Sequence, residues 1–291
     1  MESIIPVLKS SVTIMIPLLF AAAGGLFPAL AGTLNIALEG LLLAGAFTSL
    51  VVFHFTGSVF LAVPAAAVSA VLLSLIHAFA AFKLRANLFI TGLAVNLLAG
   101  GLSIVLLEKL FNTRGVVTAA SVLYPAAFHQ QRGFHFFFLA LFFIFISWLI
   151  LFKTPFGYRL RACEKNESAL ISLGIKPLYY QTLAFVICGF LCGIGGSFMS
   201  LNLGVFVPGM SAGKGWIGLV IIFLGARKPF GLILAAFLFA LAEAFSNHAQ
   251  GFWNLPADFI LALPYICTLI AIIVVSFLSK VDINKKHMLI K

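Results

Sequence analysis

Residues 153–177, KTPFGYRLRACEKNESALISLGIKP, form a polar interruption between two apolar stretches that are each long enough to cross a lipid bilayer. Asn166 stands where a helix N-cap is expected, Gly174 suits a left-handed position at a helix end, and Pro177 prevents any continuation. The sequence therefore predicts a short capped helix of about two turns in this segment, which lies in water. We refer to residues 153–177 as the polar loop.

The composition around the polar loop is that of an integral membrane protein. Hydrophobic residues make up 63% of the 291 residues and charged residues only 9%, whereas about 25% of the residues of a soluble domain are charged. Continuous apolar runs predict spanning helices, because the strands of a membrane barrel would alternate apolar and polar residues. The expected fold is all-α, a single transmembrane domain over residues 1–291 with about eight or nine membrane segments, some broken or re-entrant.

Basic residues orient the predicted helices. Lys and Arg collect on the cytoplasmic side of membrane proteins, so the net charge of +10 requires no nucleic-acid partner. The short turn at 83–86 and the polar loop are both basic, and the predicted spans 87–107 and 134–152 separate them. Both basic segments are therefore expected in the cytoplasm, with residues 108–133 outside.

The first two apolar segments leave the side of the N-terminus open. Residues 11–30 carry a Gly-Gly pair and Pro28 near their end, which favours a break in the helix. If residues 31–55 re-enter the membrane, the N-terminus is cytoplasmic, and if they cross it, the N-terminus is outside. The N-terminal charges nearly cancel, so they do not decide between these alternatives.

A second interrupted segment lies at residues 204–226, which contain several glycines and a proline and cannot form one regular helix. Broken segments are tolerated in membranes where they face protein or a water-filled cavity, so they mark substrate paths. The motif GGLF at 24–27 precedes Glu39, and GGSF at 195–198 precedes Lys214. A duplicated half would place both interruptions around one central site, and chance similarity in a glycine-rich chain is the alternative.

Five polar or irregular positions at membrane depth are the candidate substrate path: Asn35, Glu39, Asn96, Lys214 and Trp216. A carboxylate at that depth costs about 3 kcal/mol, so Glu39 is expected at an interface, in a cavity or in a pair. An ion pair with Lys214 is the structural alternative to a solute contact. Asn96 can bind a sugar or base, or it can form an interhelical hydrogen bond worth about 0.6 kcal/mol.

Five stretches carry a resemblance to a known family. They are GTLNIALEGLLLAGAF at 32–47, TGLAVNLLAGGL at 91–102, GYRLRACEKNESALISLGI at 157–175, GKGWIGLVIIFLGARKPFG at 213–231 and LPY at 263–265. With these motifs the chain resembles the inner-membrane permease subunits of ABC importers in the branched-chain amino acid, ribose and nucleoside group, and it is most similar to the nucleoside-type permeases. Glu164 stands where the family usually has Gly, and Glu167 where Pro is frequent.

The resemblance implies a transport role without a catalytic residue, metal or cofactor in this chain. Separate cytoplasmic ATPase subunits would use the ATP, and a second permease subunit, identical or homologous, would complete the pore. An extracytoplasmic binding lipoprotein would deliver the solute. The sequence contains no G-x-x-x-x-G-K-[ST] phosphate loop that would bind ATP itself. The implied location is the bacterial inner membrane, in contact with lipid.

The resemblance also implies that the capped helix of the polar loop is the coupling helix that docks on an ATPase subunit. The expected coupling residues are Arg159, Arg161, Asn166, Ala169, Leu170 and Gly174. The two arginines are available to meet acidic groups of the ATPase. The alternative is a solvated basic loop that only follows the positive-inside rule.

The resemblance favours a nucleoside as the solute, with riboflavin, a simple sugar or a branched-chain amino acid as alternatives. An ion-coupled secondary transporter is a contrasting class, and it requires intramembrane carboxylates, for which only Glu39 is a fair candidate. A membrane enzyme requires a nucleophile, a base and an orienting group in one place. The sequence offers no such cluster.

Overall fold

The computed structural model describes residues 4–118 and 126–249, which form ten α-helices and two short strands. The helices are α1 (Ile4–Leu30), α2 (Leu38–Thr56), α3 (Val59–Ala78), α4 (Leu88–Phe111), α5 (Ala126–Lys153), α6 (Pro155–Lys165), α7 (Glu167–Ser172), α8 (Pro177–Leu203), α9 (Lys214–Leu224) and α10 (Pro229–Ala249). A π-helical segment, Phe79–Lys83, continues α3. Strands β1 (Val117–Thr118) and β2 (Val205–Phe206) pair antiparallel.

Seven helical segments in the described part of the chain are long and apolar enough to cross a membrane, and α9 is a shorter apolar helix. The all-α transmembrane bundle is therefore confirmed. The break predicted in residues 204–226 is present, because α8 ends at Leu203 and α9 begins only at Lys214. The last predicted span, 258–279, and the LPY motif lie outside the described residues.

The first helix does not break at its glycines, so that expectation is wrong. Helix α1 continues to Leu30, and only residues 31–37 leave helical geometry. The glycines instead permit close packing between helices. A Cβ atom on Gly24 would lie 3.0 Å from the carbonyl oxygen of Cys188, and one on Gly25 would lie 2.8 Å from the Ile222 side chain.

Two opposite faces of the bundle can be defined by their contacts. The loop face contains the polar loop, the turn 84–87 and the turn 225–228. On this face Glu164 forms an ion pair with Arg227, and Arg85 lines the same pocket as Leu178 at the start of α8. The strand face contains β1 and β2. The turns that are expected on one side of the membrane therefore lie together.

The course of α1 and α2 shows whether residues 31–55 cross the membrane, and therefore on which side α1 begins. The link after α1 lies on the loop face, where a Cβ atom on Gly32 would be 3.1 Å from the Cα atom of Glu164. Helix α2 runs to the strand face, where the rings of Phe47 and Phe206 are 5.4 Å apart. Residues 31–56 therefore cross, and α1 begins on the strand face, which is outside if the polar loop is cytoplasmic.

The segments α1–α2 and α8–α9 run in opposite directions with the same plan. Each has a long helix, a non-helical link and a second helix that starts inside the bundle. Helix α1 runs toward the loop face, whereas α8 runs away from it. The two inner helix starts touch, since a Cβ atom on Gly215 would lie 2.3 Å from the amide nitrogen of Glu39. The GGLF and GGSF motifs therefore precede two interruptions that meet within the membrane.

Candidate functional site

The site where α2 and α9 begin is built around the carboxylate of Glu39. Its Oε1 atom accepts a hydrogen bond of 2.8 Å from the amide of Gly213, and its Oε2 atom accepts one of 2.7 Å from the amide of Gly215. A carboxylate is favourable at a helix N-terminus, because it satisfies free N–H groups and meets the positive end of the helix dipole. These bonds offset the cost of placing Glu39 at membrane depth.

The ion pair between Glu39 and Lys214 that the sequence suggests as an alternative is not formed. Glu39 binds the backbone on both sides of Lys214, and the Lys214 Nζ atom instead lies 3.3 Å from Glu243 Oε1 in α10. The two side chains are 18% and 22% exposed. Charged groups at membrane depth face a bundle interior or a water-filled cavity, so this pair marks a polar surface between α9 and α10.

Trp216 lies two residues beyond Lys214 in the first turn of α9 and is 40% exposed. Phe223 is seven residues further along and is also exposed, so both rings lie on one face of the helix. Lys214 is two residues before Trp216, so its side chain and the Lys214–Glu243 pair lie on a different side of α9. The broken segment therefore presents exposed ring surfaces on one side of α9.

Asn35 is fully buried, and its amide is engaged by the protein itself. The Oδ1 atom accepts a hydrogen bond of 3.0 Å from the amide of Ala37 and lies 3.0 Å from His77 Nδ1, while Nδ2 donates to Cys188 Sγ. Asn35 therefore fixes the link between α1 and α2 against α3 and α8. No role is predicted for His77 from sequence, although its Nε2 atom also lies 3.1 Å from the Leu88 carbonyl oxygen.

Asn96 makes a similar bridge from α4. Its Oδ1 atom accepts a hydrogen bond of 2.7 Å from the amide of Gly40, and its Nδ2 atom donates to the carbonyl of Ile36 at 3.0 Å. Of the two alternatives for Asn96, the geometry is that of the interhelical hydrogen bond. Glu39, Asn35 and Asn96 thus all secure the interruption before α2, whereas the Trp216 ring is exposed and Lys214 is half-buried in its pair with Glu243.

The polar loop contains the predicted short helix and one more. Helix α7 starts after Asn166, whose Oδ1 atom accepts a hydrogen bond of 3.1 Å from the amide of Ala169, and Gly174 has a positive φ of 74° beyond its end. Helix α6 is not predicted from sequence. Thr154 caps it and proline stands at its first position, which is a recognisable start signal.

The side chains of α7 divide between anchoring and contact. Leu170 is only 5% exposed and holds the helix to the bundle, so it is not an outward contact residue. Ile171 in α7 and Leu173 directly after its end, which are both absent from the predicted set, are 60% and 74% exposed. The sequence could have predicted their exposure, because Leu170, Ile171 and Leu173 are too closely spaced to lie on one face of a short helix.

The two arginines of α6 are engaged in the permease itself. Arg159 Nη1 donates to Tyr180 Oη at 3.0 Å, which joins α6 to α8. The Arg161 guanidinium lies 4.6 Å from the ring centre of Phe152 and 5.0 Å from that of Tyr158. Such stacking stabilises an arginine without consuming its charge. Both side chains therefore position α6, and α7 follows directly from it.

Two acidic residues of the loop act on neighbouring groups. Glu164, which departs from the family pattern, forms its ion pair with Arg227 in the turn between α9 and α10. The polar loop is thereby connected to the broken segment. Burial raises the pKa of the Cys163 thiol, and the negative charge of Glu167 raises it further. Cys163 is consequently a protonated packing residue at neutral pH.

Comparison with known proteins gives a consistent result. The family described as branched-chain amino acid transport system / permease component matches residues 7–275. The guanosine ABC transporter permease protein NupQ of Bacillus subtilis (strain 168) is 31% identical, over 93% of this chain and 91% of that protein. The nucleoside ABC transporter permease protein NupC of Lactococcus lactis subsp. cremoris (strain MG1363) is also 31% identical, over 88% and 87%.

A solved structure shares the fold. The structure of PsaBC from Streptococcus pneumoniae in complex with Fab aligns with a TM-score of 0.54 and 14% identity, over 90% of this chain and 89% of the matched chain. At this identity the likeness concerns the arrangement of helices alone.

Proposed function

Because the chain belongs to the family of branched-chain amino acid transport system permease components, it is a permease subunit of an ABC transporter in the bacterial inner membrane, and we propose that its solute is a nucleoside. The observation that carries the choice of solute is the 31% identity to two nucleoside permeases over most of the chain. The exposed ring of Trp216 supports it, because a nucleoside has a flat base that can stack on an aromatic ring.

The proposed path follows the accessible face of the broken segment. Trp216 offers an exposed ring on which the flat base of the solute can stack. Glu39, Asn35 and Asn96 act as positioning residues, because their polar atoms are bonded to the backbone or to other side chains. They hold open the interruption that the solute would pass.

Membership in this family implies ATPase and substrate-binding partners. We further propose that the binding partner is an extracytoplasmic lipoprotein, and that a second permease subunit, identical or homologous, completes the pore. Helix α7 docks on the ATPase through Ile171 and Leu173, whose exposed apolar side chains suit a protein groove. In this proposal the ATPase alone uses ATP, and the permease carries no catalytic residue, cofactor or metal.

Reconstituted transport tests the solute. Proteoliposomes that contain the permease, its ATPase and its binding protein are given labelled guanosine, and unlabelled competitors are added singly. We expect ATP-dependent uptake that adenosine and cytidine reduce but that riboflavin, glucose and leucine leave unchanged. Inhibition by one of the latter three with no effect of the nucleosides would contradict the proposal. Uptake on an ion gradient without ATP would contradict ATP coupling.

A matched pair of variants tests the path. Loss of base stacking costs about 1–3 kcal/mol, so Trp216→Ala should weaken the apparent affinity for guanosine about tenfold, whereas Trp216→Phe should retain most of it. The control is Trp148→Ala, which removes an indole of α5 that packs on Phe230 of α10. Equal uptake by Trp216→Ala and Trp148→Ala would place the path elsewhere.

A further inference from the structure

An accessible pocket opens on the loop face, and the residues that line it lie outside the broken segment. It has a volume of about 640 Å³ and lies between α3, its π-helical continuation and the start of α8. Its lining residues are Leu75, Ala78, Phe79, Phe82, Lys83, Arg85, Leu178 and Thr182. A pocket of this size lies within the range of about 300–1,000 Å³ that is usual for ligand sites.

The pocket changes character along its length. Leu75 precedes Lys83 by eight residues, so the apolar wall reaches about 12 Å along the helix from the basic end. Phe79 is 52% exposed on this wall, and Leu178 of α8 is 52% exposed opposite it. Since these helices cross the membrane, the apolar part lies at the depth of lipid acyl chains and the two cations lie at the depth of lipid phosphates.

The cations at the basic end have no acidic partner in the described part of the chain. The Lys83 Nζ atom lies 5.4 Å from the ring centre of Phe79, and the carboxylates that form described ion pairs bind other cations. Lys176 lines an adjoining pocket that shares Leu178. Neither pocket is lined by a carboxylate, so this region carries an uncompensated positive charge.

The backbone that presents the two cations is irregular. Phe79–Lys83 forms a π-helical turn, and Arg85 has a positive φ of 54°. Both geometries are uncommon for such residues and are found more often at functional sites. Phe79, Phe82 and Lys83 of this turn all line the pocket.

From these observations we propose that the pocket binds one anionic phospholipid of the leaflet on the loop face. The phosphate is held by Lys83 and Arg85, and an acyl chain lies along Leu75, Phe79 and Phe82. Anionic headgroups are the complement of a basic pocket between membrane helices. A soluble partner such as an ATPase subunit reaches only the cationic end, whereas a lipid fills the apolar wall as well.

Lipid binding to the purified complex tests this site. The permease is purified with its partner subunits, stripped of lipid and titrated with phosphatidylglycerol or phosphatidylcholine, and bound lipid is counted by native mass spectrometry. We expect one tightly bound phosphatidylglycerol per permease chain. The double variant Lys83→Gln, Arg85→Asn should bind it at least tenfold more weakly, because it removes both cations that hold the phosphate. Asn is chosen because it tolerates positive φ.

Two further variants make the result specific. Lys109→Gln removes an exposed cation near the strand-face end of α4 and should leave binding unchanged. Thr182→Phe fills the pocket without changing its charge and should also weaken phosphatidylglycerol binding. The thermal midpoint of each complex shows whether it is folded, and reduced lipid binding counts for the site only in variants with an unchanged midpoint.

Several outcomes would overturn the proposal. One is equal phosphatidylglycerol binding by the double variant and by Lys109→Gln, and another is equal affinity of the native protein for phosphatidylcholine. If millimolar inorganic phosphate displaces the lipid and stays bound in its place, the pocket is a site for free phosphate. Loss of the ATPase subunits from the double variant, with lipid binding intact, would indicate a protein docking surface.

Discussion

Glu39 Oε2 accepts a hydrogen bond of 2.7 Å from the amide of Gly215, and this contact joins the first turn of α2 to the first turn of α9. Both helices begin inside the membrane, where backbone N–H groups at a helix start have no water to bind. A side chain from one interrupted segment thus satisfies the backbone of the other. The two interruptions therefore stabilise each other.

Replacing Glu39 with Gln should destabilise this junction. The amide leaves one acceptor oxygen for two N–H donors and removes the negative charge from the start of α9, so we expect a loss of about 2 kcal/mol in the free energy of unfolding. The measurement is the thermal midpoint of the purified permease, and the uptake rate should fall with it. Glu39→Asp keeps the charge and should lose less. Equal midpoints for the Gln variant and the native protein would show that these bonds contribute nothing.

Adding one methyl group at Gly215 should be far more harmful than adding one at Gly101. The new Cβ atom at Gly215 would lie 2.3 Å from the amide nitrogen of Glu39, whereas nothing lies within 4 Å of one at Gly101. We expect Gly215→Ala to reduce the yield of folded permease sharply. Gly101→Ala should be neutral or stabilising by up to about 1 kcal/mol, because alanine favours the helix. Size-exclusion profiles from matched expression cultures measure both, and equal profiles would contradict the close contact.

The exposed apolar side chains at the end of α7, Ile171 and Leu173, should determine coupling. Replacing Ile171 and Leu173 together with Ser should leave the permease folded but separate ATP hydrolysis from uptake, because the ATPase would lose its apolar contact. Ser172→Ala is the control on the same helix. The pair Arg161 and Leu170 should also uncouple transport when both are replaced, but through displacement of the helices that they hold. Normal uptake by the Ile171, Leu173 variant would refute docking through this surface.

The Glu164–Arg227 ion pair should couple the polar loop to the α9–α10 turn with a small energy. The side chains are 35% and 37% exposed, so we expect a coupling of about 0.5 kcal/mol that decreases with added salt. Stabilities of Glu164→Gln, Arg227→Gln and the double variant form the required cycle. Strict additivity of the two single effects at low salt would mean that the ion pair does not contribute.

The membrane class, the helical spans of the described residues, the interruption at 204–226 and the capped helix after Asn166 are all predictable from the sequence. These features depend on local properties: apolar runs, helix breakers and a side chain that bonds to a backbone group three residues away. Helix α6 carries a local start signal of the same kind. Family motifs that extend over most of the chain likewise identify the permease role.

Other features depend on which distant segments meet. Glu39 and Gly215 are 176 positions apart, and the sequence equally permits a pair between Glu39 and Lys214. The Gly-Gly pair in α1 favours a break in isolation, but close packing on α8 and α9 keeps the helix intact. Leu170 is buried while Ile171 and Leu173 are exposed, and this difference depends on the surface against which α7 packs. A carboxylate can accept hydrogen bonds from several donors, and a glycine can pack closely against several helices. Only the tertiary structure decides which of these partners is present.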